Sequence, residues 1–280
     1  MGSVRRTRRL LKGVGNGLLV VMLIWTLVPF YWMLTTSLKK DKEIYGFEAT
    51  LIPLQPTLDA YRRLFAHTPF VKYMRNSTII AVSTTLASLV FGCLAAYALA
   101  RLRFPGRAVI ARGLIFTYLV PPSLLFIPLF AVMSTLSLID TREGLILAYL
   151  GFTVPFCTWL LLGYFRSVPL ELEEAALVDG CSHLSALVRI ILPMSLPALA
   201  VVAFFSFTQA WNEFLYANVF VNSVEVRTIT TGLTLFVVED VFFWGPMMGA
   251  ACLATVPPVV VYLVFQRWVV KGLTLGAVKG

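Results

Sequence analysis

The sequence predicts an all-α, polytopic membrane protein: six transmembrane helices joined by loops, one of them a patterned polar loop on the cytoplasmic side. Three observations carry that fold class. The chain of 280 residues is 59% hydrophobic and only 13% charged, whereas a soluble domain is about 45–50% apolar and about 25% charged. Its apolar residues gather into stretches of about 20 or more, the length needed to cross a hydrocarbon core of about 30 Å. Its basic residues flank those stretches without acids beside them. In a bilayer core every backbone polar group must be satisfied within the segment, which selects helices; a closed barrel would show short strands of alternating polarity instead.

The spans follow in order. The first covers about Gly17–Leu38 and the second about Asn76–Ala100, and neither contains a charge. The third, about Gly113–Ile139, is also uncharged but carries Pro121, Pro122 and Pro128. The fourth is about Gly144–Phe165. The fifth, about Leu196–Asn222, holds a single acid, Glu213, and the sixth is about Gly245–Gln266. Residues 1–16 form a basic tail, 17–270 the transmembrane domain with its polar loop at 166–195, and 271–280 a second tail. The half-apolar segment Thr228–Gly245 contains the pair Glu239–Asp240, which is costly at mid-bilayer, and reads as an extracytoplasmic or re-entrant piece.

Charge orients the bundle. Arg5, Arg6, Arg8, Arg9 and Lys12 precede the first span, Arg101, Arg103, Arg107 and Arg112 follow the second, and Arg267, Lys271 and Lys279 follow the sixth, all without an acid among them. The positive-inside rule places these three segments, and so both termini, in the cytoplasm. The 39–75 loop, in which Lys and Arg alternate with Asp41, Glu43, Glu48 and Asp59, then falls outside. The N-terminal apolar run is too long for a signal peptide and reads as an uncleaved span. The net charge of +9 is thus a topology signal and a contact with phospholipid; with no aromatics interleaved on a soluble face, nucleic acid is not a partner.

Catalytic chemistry has no carrier. Cys93, Cys157, Cys181 and Cys252 include no CxxC pair, the two histidines are His67 and His183, and no HExxH, phosphate-loop or GxSxG pattern occurs. The chain is expected to be no enzyme, to bind no metal or cofactor itself, and to receive any energy from another chain.

The informative stretch is Arg166–Pro197. Glu171, Glu173 and Glu174 suit the positive end of a short helix after Pro169, Gly180 permits a tight stop, and Leu184, Leu187, Val188 and Ile191 share one face of a second helix. Pro193 and Pro197 break the chain as it enters the fifth span. An acid-rich helix is repelled by anionic lipid, so a docking element for a cytoplasmic protein fits better than an interfacial hairpin.

Glu174-Ala175-Ala176, then Gly180, then Ile190, Leu192 and Pro193, resembles the EAA signature of ATP-binding cassette (ABC) importer permeases, with the full spacing kept. Ala95–Arg107 (AAYALARLRFPGR) and Gln266–Gly280 (QRWVVKGLTLGAVKG) are similar to the carbohydrate-uptake class, in particular the smaller maltose-type permease subunit. The resemblance covers about residues 70–280. It implies a bacterial inner-membrane permease that pairs with a second, homologous permease chain, docks two ATP-binding cassette subunits that hold ATP and Mg, and receives sugar from an extracytoplasmic solute-binding protein. Glu173, Glu174, Ala175, Ala176, Asp179 and Gly180, with Ile190, Leu192 and Pro193, would form the coupling-helix loop, and Lys271 and Lys279 would reach the ATPases.

For the substrate, Trp211, Asn212 and Glu213 are candidates to line a sugar path by stacking and hydrogen bonding. Three readings of Glu213 stand: solvated at the outer end of the span, paired with a partner chain, or lining the path. An importer of another solute, such as glycerol phosphate or a polyol, is the alternative within this class. A self-sufficient secondary transporter would need coupling charges, and Glu213 alone is available for that.

Overall fold

A computed structural model describes residues 2–238 and 241–277. The elements are helical throughout, apart from two residues in each of two short strands. Helix α1 (Gly2–Ser37) runs without a break from the basic tail through the first apolar stretch. Two short helices follow, α2 (Asp41–Ile44) and α3 (Asp59–His67), then α4 (Phe70–Arg101), α5 (Arg107–Leu119), α6 (Pro122–Thr135) and α7 (Arg142–Phe165). Next come α8 (Leu170–Val178), α9 (His183–Ala186), one π turn (Leu187–Ile191), α10 (Leu192–Met194), α11 (Leu196–Asn212), α12 (Leu215–Phe220) and α13 (Ile229–Gly232). A 3₁₀ turn (Leu233–Phe236), the strand pair β1 (Val237–Val238) and β2 (Val241–Phe242), and α14 (Trp244–Ala277) complete the chain. Within 228–245, Glu239 and Asp240 lie outside the described residues.

Among the described residues, four helices are long and apolar enough to cross a membrane: Lys12–Ser37, Phe70–Arg101, Arg142–Phe165 and Trp244–Trp268. A bent pair, His183–Met194 with Leu196–Asn212, turns by 85° and makes a fifth if it is one span. The stretch 113–139 differs from a single continuous helix. Val120 and Pro121 are both extended, with ψ of 118° and 127°, because a residue before proline is pushed out of the helical region. Pro122 then opens α6 at a position where its missing N–H costs nothing. The stretch 196–222 is also two helices, parted at Glu213 and Phe214.

The chain divides into two compact units. In the first, Met1–Phe70 with Leu233–Thr255, Asp41 and Glu43 of the 39–75 loop find partners within that loop. Arg63 grips Asp41 with two bonds of 2.7 Å, which hold that carboxyl below its usual pKa range. Glu43 accepts from the Thr50 hydroxyl and the Leu54 N–H, and Tyr61 meets Ser37 at 2.9 Å.

The second unit, Val71–Gly232 with Val256–Gly280, holds a core in which Cys93 and Ala96 of α4, Cys157 and Leu161 of α7, Ile191 of the π turn and Val202 of α11 are buried. Gly92 lets α4 approach α7 closely, since a Cβ there would sit 3.0 Å from that of Cys157; small residues at such contacts drive helix association where no hydrophobic effect is available. Ser88 bonds Thr153 at 2.7 Å and Cys157 bonds Ser206 at 3.0 Å, so α4, α7 and α11 are tied by polar pairs inside the core.

Candidate functional site

The loop at 166–195 is a helix, a tight stop and a second helix. Pro169 is extended just ahead of α8, and Glu171 and Glu173 occupy the first turn, where acids complement the helix dipole. At the other end the Cys181 N–H reaches the Ala176 carbonyl (2.9 Å) and the Gly180 N–H the Leu177 carbonyl (3.1 Å). That pairing is a Schellman stop, and it needs a left-handed residue at Gly180, whose φ is +89°. Ser182 caps α9 by accepting the Ser185 N–H at 3.2 Å. The helix then widens into the π turn immediately ahead of Pro193, which has no N–H for an α ladder. Ser195 is fully buried at the 85° bend into α11.

The two faces of α8 differ sharply. Glu174, Ala175, Val178 and Asp179 face outward, and Val178 is 88% exposed. Glu173 and Ala176 turn inward. Of the remaining signature residues, Ile190 and Leu192 are half-buried and Pro193 is exposed. The motif residues are therefore brought onto one loop, but not onto one face.

Glu173 is only 2% exposed, and a buried carboxylate must be matched by a partner. Arg101, at the end of α4, places its Nε 3.1 Å from a Glu173 carboxylate oxygen. The Tyr97 hydroxyl, one turn earlier on α4, donates to the other oxygen. His183 Nδ1 lies 3.2 Å from the Tyr97 hydroxyl and 3.7 Å from Glu173. Arg101 also donates to the carbonyls of Phe165 (2.8 Å), the last residue of α7, and of Val168 (2.7 Å), three residues beyond it. Arg107 donates to the Ala100 and Leu102 carbonyls, both at 3.1 Å. Charge patterning alone reads Arg101 as a topology signal and Glu173 as a docking acid; the contact between them joins distant parts of the chain and leaves no local mark.

Trp211, Asn212 and Glu213 lie where α11 ends. Trp211 is buried and stacks on Phe207 with centroids 5.6 Å apart, while Asn212 is exposed. Glu213 is half-buried and bonded within its own chain, to the Tyr149 hydroxyl (2.8 Å) and the backbone N–H groups of Tyr216 (2.9 Å) and Ala217 (3.0 Å). It caps α12, a use of the acid that none of its three sequence readings contains. Lys271 lies in the backbone of α14 and its side chain is outside the described residues, as is Lys279 altogether. No group of three His, Cys, Asp or Glu side chains that could hold a metal occurs among the described residues. What the loop presents is an anchored helix with an exposed acidic and apolar face.

A chain whose described elements are helical but for one pair of two-residue strands, with at least four spanning-length apolar helices and one structured polar loop, defines a multi-pass membrane protein. A family profile described as "Binding-protein-dependent transport system inner membrane component" matches residues 88–275, and the chain belongs to that family, the permeases of ABC importers. Relatives include the inner membrane ABC transporter permease protein YcjP of Escherichia coli (strain K12), 38% identical with 94% of each chain covered. The trehalose/maltose transport system permease protein MalG of Thermococcus litoralis is 37% identical, with 93% of this chain and 94% of that one covered. The sulfoquinovosyl glycerol transport system permease protein SmoH of Agrobacterium fabrum is 36% identical over 93% and 91%. In fold, the chain is similar to one from a bacterial ABC transporter involved in the import of the acidic polysaccharide alginate, with a TM-score of 0.82, 24% identity, and 94% and 98% covered.

Proposed function

We propose that this ABC importer permease moves a sugar inward across the bacterial inner membrane by alternating access, as one of two homologous permease chains. In this reading both termini are cytoplasmic and the spans number six: the four long helices, α5 with α6, and α11 with its continuation. Two ATP-binding cassette subunits carry the ATP and Mg and dock on the loop, and an extracytoplasmic solute-binding protein delivers the sugar. The chain itself binds no cofactor and catalyses no reaction.

One observation carries the docking assignment: α8 exposes Glu174, Asp179 and a bare Val178 on one side while Glu173 and Ala176 fix the other. An exposed apolar side chain ringed by acids suits a protein partner better than an anionic membrane surface. In this assignment Glu174, Ala175, Asp179 and Gly180 meet the ATPase, Glu173 and Ala176 seat the helix, and Ile190, Leu192 and Pro193 hold the return of the chain. Lys271 and Lys279 of the tail extend the same contact. Sugar as cargo is supported by relatives named for trehalose/maltose and sulfoquinovosyl glycerol. On the path, Asn212 offers the exposed amide, and Trp211 and Glu213 hold it in position.

A thermal-shift screen of the cognate solute-binding protein against mono- and disaccharides, glycerol phosphate and polyols tests the cargo. Stabilisation by a saccharide is the expected result; stabilisation by glycerol phosphate or a polyol alone would overturn the assignment.

A further inference from the structure

We infer that Arg101 and Glu173, with Tyr97, form a positioning joint that makes the coupling loop and the inner end of α4 move as one body. The inference rests on the permease reading above and extends it from the face that meets the ATPase to the opposite face of the same helix. It also gives a structural use to Ala95–Arg107, a stretch that the docking assignment leaves unexplained.

Four observations converge. The Arg101 and Glu173 side chains are 7% and 3% exposed and lie 3.1 Å apart. The remaining Glu173 oxygen takes the Tyr97 hydroxyl, so α8 is gripped from two consecutive turns of α4. Arg101 simultaneously holds the carbonyls of Phe165 and Val168, joining the end of α7 to the same point. Arg107 folds back on the carbonyls of Ala100 and Leu102, which fixes the chain just after Arg101. A push on the outer face of α8 is therefore delivered to α4 and α7 through a charged, hydrogen-bonded contact, whereas an apolar contact would let the helices slide.

A buried ion pair is weak support for stability in itself, because desolvation offsets much of the attraction. Its advantage is direction: a buried carboxylate with the Arg101 guanidinium against one oxygen and the Tyr97 hydroxyl donating to the other has few alternative partners and so holds one position. Glu173 is thus a positioning residue that touches neither sugar nor ATP.

The test uses the complete importer in liposomes: this chain, its partner permease, the ATPase subunits and the solute-binding protein. The readout is sugar transported per ATP hydrolysed, a ratio that lower yield or stability of the complex does not change. Glu173→Gln keeps the side chain's size and removes its charge, and Arg101→Gln removes the other partner; each should lower the ratio about tenfold, the upper range for residues that transmit coupling. Glu173→Asp should restore part of it. Tyr97→Phe deletes one hydroxyl, is tolerated where the charge variants fail to accumulate, and should lower the ratio about threefold. Arg112→Gln, an exposed arginine on α5, should leave it unchanged. A wild-type ratio in Tyr97→Phe and in every charge variant that accumulates overturns the joint. A wild-type complex that shows no ATP-driven uptake overturns the permease reading and the joint together, so the two failures are distinct.

Discussion

Tyr149 and Glu213 meet inside the helical bundle: the Tyr149 hydroxyl of α7 donates to the Glu213 carboxylate at 2.8 Å, at the point where α11 stops. The same carboxylate takes the first N–H groups of α12, from Tyr216 and Ala217. Glu213 therefore links two successive helices and ties both to α7. The Tyr216 ring continues the contact, edge-on to Tyr149 at 6.4 Å, with its hydroxyl donating to the Pro122 carbonyl at 2.7 Å.

Removing the Glu213 carboxylate should loosen this junction. Loss of a helix cap costs about 1 kcal/mol, and a buried hydroxyl left unpaired costs about 1–3 kcal/mol more. Glu213→Ala should thus lower the melting temperature of the purified complex in detergent clearly more than Tyr149→Phe does. The double variant should lose less than the sum of the two single variants, since both remove the same bond. Strictly additive losses would show that the Tyr149 contact contributes nothing.

Two glycines make a sharper pair. A Cβ on Gly144 would lie 2.1 Å from the Leu138 carbonyl oxygen, whereas one on Gly163 would meet nothing within 4 Å. Gly144→Ala should therefore cost about 3 kcal/mol by forcing the turn before α7 apart, and Gly163→Ala should be neutral or slightly stabilising, by up to about 1 kcal/mol. Thermal unfolding of the two variants side by side measures the contrast; equal melting temperatures would contradict it.

Asp140 gives a pH signature. Burial raises its pKa, but the N–H groups of Ser223 and Asn222, at 2.9 and 3.0 Å, outweigh that and lower it overall. A carboxylate with a depressed folded pKa contributes stability that is fully present above its unfolded pKa, about 3.9, and that is lost as pH falls through the folded value. Asp140→Asn should melt lower than wild type at pH 7, and the gap should close as pH is taken below about 4. A gap that is constant with pH would show that the carboxylate charge is not what holds this turn.

The helix–stop–helix geometry of the 166–195 loop was legible in one sequence because its signals are local: acids in a first turn, a glycine at a stop, and prolines at a bend. The Schellman geometry at Gly180 follows from those residues alone. The two broken helices were only half legible. Pro121 and Pro122 mark the first break openly, whereas Glu213 reads as an intramembrane acid in need of a partner, and its capping of α12 depends on where Tyr149 lies. The Arg101–Glu173 pair was invisible for the same reason: charge patterning says that a residue has a partner and never which one.

At Gly180 the backbone, not space, is limiting: φ is +89° and a Cβ would meet nothing. Gly180→Ala should cost about 1 kcal/mol, and Gly180→Asn less, since asparagine tolerates the left-handed region. Thermal unfolding in detergent and the amount of ATPase retained on the purified permease should both follow the order Gly, Asn, Ala. Equal retention in all three would remove the stop from the docking geometry.

The exposed face of α8 as the point of ATPase coupling is tested most directly by ATP-driven sugar uptake into liposomes carrying the complete importer with Glu174→Lys in this chain. The substitution reverses a charge on an exposed side chain, so insertion and thermal stability should stay at wild-type values while uptake and ATPase co-purification collapse. Normal uptake with a normally retained ATPase would contradict the account.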